Sequence, residues 1–72
     1  MKKIKKIKIK INGKIKYIIQ DSNLSVLLKN LKISLNKVAI ELNGEIIDKK
    51  KINKIKLNKH DKIEIVHFIG GG

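Results

Sequence analysis

The sequence predicts an α+β domain in which a mixed sheet of about five strands packs on one helix. Three observations carry this. Ile7, Ile9 and Ile11 alternate with Lys8 and Lys10, the period-two pattern of a half-buried strand. Leu24, Leu27, Leu28 and Leu31 fall at i, i+3, i+4 and i+7, one apolar stripe along a short helix. Asn-Gly occurs at 12–13 and again at 43–44, each time between apolar runs, and that dipeptide is a strong hairpin signal.

The first hairpin has a rival. Ile4, Ile7, Ile11, Ile15 and Ile18 also line one face of a basic amphipathic helix. That helix would carry Asn12-Gly13 in its middle, and β-branched isoleucine favours strands, so the hairpin is preferred. Its register can be argued from the pattern. A two-residue Asn12-Gly13 loop pairs Ile9 with Lys16 and sets the isoleucines on the lysine face of the next strand. A three-residue loop, Ile11-Asn12-Gly13, pairs Ile9 with Ile15 and Ile7 with Tyr17 and keeps one face apolar. The second register is therefore expected, with Gly13 as a left-handed bulge.

Asp21-Ser22-Asn23 then breaks the strand and offers an N-cap to the leucine helix. Val38-Ala39-Ile40-Glu41-Leu42 reads as the third strand, and Asn43-Gly44 turns it into Glu45-Ile46-Ile47. Residues Asp48 to Lys59 are polar and irregular, anchored by Ile52, Ile55 and Leu57. Asp61 introduces the last strand, Lys62 to Phe68, in which Ile63 and Ile65 point inward and Val66 and Phe68 toward the other side. Hairpin, helix, hairpin, connector and strand make the β-grasp arrangement of ubiquitin-like proteins. The final strand is expected at the centre, beside the first. The expected organisation is one β-grasp domain over 1–69 and a flexible glycine tail over 70–72.

Composition narrows the function. A chain of 72 residues holds a single small domain, and without cysteine neither disulfides nor thiolate metal sites brace it. The net charge of +12 suggests a nucleic-acid surface, yet all 18 basic residues are lysine. Arginine, the usual bidentate reader of bases and phosphates, is absent, and Tyr17 and Phe68 are the only aromatics on which bases could stack. The lysines are scattered, and their excess together with isoleucine and asparagine fits an A+T-rich coding bias. Specific nucleic-acid binding is not expected; weak attraction to polyanions is. No apolar run approaches the ~20 residues that cross a bilayer, and lysines interrupt Ile4 to Ile11 where a signal peptide would need an apolar segment. The expected setting is a reducing interior, the cytoplasm or a plastid stroma, with no membrane partner.

Catalytic chemistry is missing. His60 and His67 have no ligand set around them, so no metal site is expected. Ser22, Ser25 and Ser34 lack a histidine–carboxylate pattern, and no phosphate-binding loop occurs. What stands out is the ending Ile69-Gly70-Gly71-Gly72. Glycines fit narrow spaces that side chains would block. Extended, these four residues reach ~13 Å, enough to thread the Gly72 carboxylate into another protein's crevice. A frayed terminus is the bland alternative. The chain reads as a carrier or substrate, not an enzyme.

Here the residues reach a family. The segments Val38 to Ile47 and Asp61-Lys62-Ile63-Glu64-Ile65-Val66-His67-Phe68-Ile69-Gly70-Gly71-Gly72 closely resemble ThiS, the thiamine-pathway sulfur carrier family. The resemblance covers the chain in element order, though the amino-terminal half matches only as a hydrophobic pattern. It departs in its lysine-isoleucine amino terminus and in Asp48-Lys49-Lys50-Lys51, where relatives often show proline and tryptophan. It implies that the chain binds no cofactor itself. The resemblance further implies that an E1-like adenylyltransferase of the ThiF type would use Mg-ATP to adenylate Gly72. Sulfur drawn from cysteine by a desulfurase would replace AMP and leave a thiocarboxylate. A thiazole synthase of the ThiG type would then receive the sulfur for the thiazole ring. Val66, Phe68 and Ile69 are the expected docking residues beside the tail. Two alternatives share the fold: the molybdopterin-synthase small subunit, and a ubiquitin-like modifier joined to target lysines.

Overall fold

The computed structural model describes residues 4–68. Five strands, β1 (Lys6–Ile11), β2 (Lys14–Ile19), β3 (Val38–Leu42), β4 (Glu45–Ile46) and β5 (Lys62–His67), surround one helix, α1 (Leu24–Asn30). They form one sheet in the order β2-β1-β5-β3-β4. β5 runs parallel to β1 and antiparallel to β3, so the last strand is central, as the sequence predicts. This mixed sheet over one helix is the β-grasp fold. The helix begins where expected: the Asn23 side chain accepts a hydrogen bond from the Val26 N–H at 2.9 Å. Leu24, Leu27 and Leu28 are buried against Ile9, Val38, Ile40, Ile63 and Ile65 of the sheet's inner face. The connector between β4 and β5 forms a 3-10 helix over Lys49–Lys54, and from this connector Ile52 and Leu57 enter the same core.

The first hairpin corrects the expected register. Ile9 pairs with Lys16, Ile7 with Ile18 and Ile11 with Lys14, around the two-residue loop Asn12-Gly13. Both loop residues have positive φ, 50° and 81°, the type I′ geometry whose twist matches that of the flanking strands. The pattern argument assumed that β2 must present an apolar face to the core. It need not, because β2 is an edge strand and only Ile18 of it reaches the buried cluster. Lys14 and Lys16 are exposed, and lysines on an edge strand also discourage pairing between molecules. Ile15 and Tyr17, expected on the apolar face, lie on the outer face with Ile19 and are exposed.

No helix among the described residues is long and apolar enough to cross a membrane.

Candidate functional site

The site grows out of the far end of β5. Alternation along the strand sends Ile63 and Ile65 into the core and turns Val66 outward. Val66 stands beside Ala39 of β3, and His67 beside Val38. Phe68 continues the line: its N–H donates to the Lys37 carbonyl at 2.9 Å, so the backbone is still held one residue past the strand. Its ring remains exposed, with the Lys49 ammonium 5.2 Å from the ring centroid. That contact is a cation–π pair at a solvated site, worth about 0.5–1 kcal/mol. It brings the lysine run at 49–51 beside the residue that leads into the tail, a juxtaposition nothing in the sequence announces.

Val66 and Phe68 are thus brought together on the outer face. Ile69, Gly70, Gly71 and Gly72, the remaining residues expected to take part, lie outside the described residues.

Two side chains that the sequence did not single out as functional hold this strand. Asn12 and Asn43, visible only as turn formers, each direct their amide group at the β5 backbone from opposite sides. The carboxylate of Asp61, buried at the start of β5, accepts from the Asn58 N–H at 2.7 Å and from Asn43 Nδ2 at 2.9 Å. It is a structural acid that closes the loop before the strand. His60 and His67 are exposed, and no group of three or more metal-ligating side chains assembles among the described residues. The one ion pair found among them, Lys56 with Asp21 at 3.7 Å, is solvated and weak.

Among the described residues the site is the end of a central strand paired on both sides and carrying two exposed apolar side chains. A sequence model of the ThiS family matches residues 9–72. The chain belongs to the ThiS family. It is 37% identical over 65 residues to the sulfur carrier protein ThiS of Bacillus subtilis, covering 89% of this chain and 98% of that one. The crystal structure of the thiamine biosynthesis protein ThiS from Geobacter metallireducens superimposes with a TM-score of 0.80 at 29% identity, covering 92% of this chain and 100% of that one. A thiazole synthase of Paramagnetospirillum magneticum is 40% identical over 65 residues, which cover 90% of this chain. The chain spans only 20% of that enzyme's length.

Proposed function

We propose that this chain is a sulfur carrier of thiamine biosynthesis, acted on by other enzymes through its Gly72 carboxylate. The observation that carries the proposal is the placement of β5. The central strand runs out through exposed Val66 and, one residue past its end, exposed Phe68, and only Ile69 separates Phe68 from the three glycines. A partner that grips those residues receives the tail from a fixed direction, and the bare glycine backbone leaves the acyl carbon open to attack.

The chemistry needs activation, because a carboxylate has no good leaving group. An E1-like adenylyltransferase joins the Gly72 carboxylate to the α-phosphate of Mg-ATP and releases pyrophosphate. The terminal sulfur of a persulfide, supplied by a cysteine desulfurase, attacks the acyl carbon and AMP departs. Cleavage of the resulting sulfur–sulfur bond by a thiol frees the thiocarboxylate and leaves a disulfide. Thiazole synthase is the proposed acceptor. In support of it, a segment similar to this chain occurs within a thiazole synthase polypeptide. Membership of the ThiS family favours this carrier over the molybdopterin-synthase type and over a protein modifier.

Intact-protein mass spectrometry tests the reading. With the activating enzyme, Mg-ATP and a sulfur donor, the chain should gain the mass difference between sulfur and oxygen. Deleting Gly72 should abolish the gain while the circular dichroism spectrum stays the same. No gain in the intact chain, or an equal gain without Gly72, would overturn the proposal.

A further inference from the structure

The two Asn-Gly turns do more than reverse the chain. Asn12 and Asn43 have nearly the same backbone, with φ of 50° and 53°; Asn12 spends both ends of its side-chain amide on β5, whereas Asn43 gives its Oδ1 to β5 and its Nδ2 to the Asp61 carboxylate. Asn12 Oδ1 accepts from the Ile65 N–H at 2.7 Å, and its Nδ2 donates to the Ile65 carbonyl at 3.2 Å. The amide fills both places that a residue of a neighbouring strand would take. β1 ends at Ile11, whose partner on β5 is Ile63, and the Asn12 N–H donates to the Ile63 carbonyl at 2.9 Å. Asn12 therefore carries the β1 side of the ladder past the end of β1, as far as Ile65, toward the tail.

Asn43 acts at the opposite end of the strand. Its Oδ1 accepts from the Lys62 N–H at 2.9 Å, and its own N–H donates to the Lys62 carbonyl at 2.7 Å. Turn chemistry does not demand these amides, since glycine or aspartate also serves at the first position of a type I′ turn. Only a carboxamide offers one donor and one acceptor side by side, which is what the Ile65 backbone requires.

The geometry points to Asn12 as a positioning residue for the sulfur-transfer reaction. β3, with Lys37 just before it, holds one side of β5 through Phe68, and the Asn12 carboxamide is the hold on the other side that lies nearest the tail. The two together set the direction in which β5 leaves the sheet and presents the glycines. This rests on the carrier function proposed above. A residue that merely stabilises the fold changes the folded fraction. A positioning residue changes turnover within complexes that form normally, because displacing a reacting group by about 1 Å costs up to a hundredfold in rate.

The test compares full-length Asn12→Gly with Asn43→Gly and the unaltered chain, all well below their unfolding midpoints. Both substitutions keep the positive-φ turn and take one carboxamide from β5, but only the first takes it from the tail end. Backbone ¹⁵N relaxation at Val66, His67 and Phe68 is measured first, then the kinetics of thiocarboxylate formation with the activating enzyme, Mg-ATP and a sulfur donor. In Asn12→Gly the order parameters of these three residues should fall and kcat should drop at least about tenfold, with KM within about twofold. Asn43→Gly should match the unaltered chain in both. Unchanged order parameters in Asn12→Gly, or equal kcat in the two variants, would overturn the assignment. If the unaltered chain acquires no sulfur, the carrier function fails by itself, and relaxation alone decides whether Asn12 holds the end of β5.

Discussion

Along β5 the two faces of one strand carry similar apolar side chains to opposite ends. Ile63 and Ile65 are 0% and 7% exposed, whereas Val66 and Phe68, on the other face, are 53% and 56% exposed. Residue type does not separate them; what covers each face does. Leucines of α1, with Ile52 and Leu57 of the connector, cover the inner face, whereas Phe68 meets the Lys49 ammonium and stays exposed. The outer face also leaves Ile15, Tyr17 and Ile19 in solvent on β2, beside the lysines of β1. Exposure alone is thus common on this face. What distinguishes Val66 and Phe68 is their place in the chain, with Ile69 and the three glycines of the proposed modification site just beyond them.

Three substitutions sharpen that contrast. Ile63→Ala empties a fully buried position and should cost about 2–5 kcal/mol of stability by chemical denaturation. A loss under about 1 kcal/mol would mean that the inner face is not packed as described. Phe68→Ala should cost no more than about 1 kcal/mol of stability, the size of its contact with Lys49, since the ring is outside the core. Titrated calorimetrically against the activating enzyme or thiazole synthase, the same variant should bind about 2 kcal/mol more weakly. Lost stability with normal binding would break the distinction between the faces. The smallest effect is expected from Ile15→Lys, within about 0.5 kcal/mol, because Ile15 is exposed opposite Lys10. In the register with a three-residue loop the same lysine would enter the core, and the unfolding midpoint would fall sharply.

The sequence by itself determined the element order, the capping of α1 by Asn23, the inward set of Leu24, Leu27, Leu28, Ile63 and Ile65, and the outward set of Val66 and Phe68. These follow from local rules: strand and helix periods, turn residues and caps act over a few residues and are written where they act. The register of β1 and β2 escaped that logic. Pattern reasoning maximises apolar pairing between neighbours, while the real constraint is how far one short helix reaches across the sheet, which leaves Lys14 and Lys16 opposite Ile11 and Ile9. The contact of Lys49 with Phe68 and the hold of Asn12 on Ile65 also appeared only with the tertiary structure. Asn12 and Ile65 lie 53 residues apart in the chain. The local sequence around Asn12 announces a turn and nothing of the strand it will grasp, because that strand arrives beside it only when β5 inserts between β1 and β3.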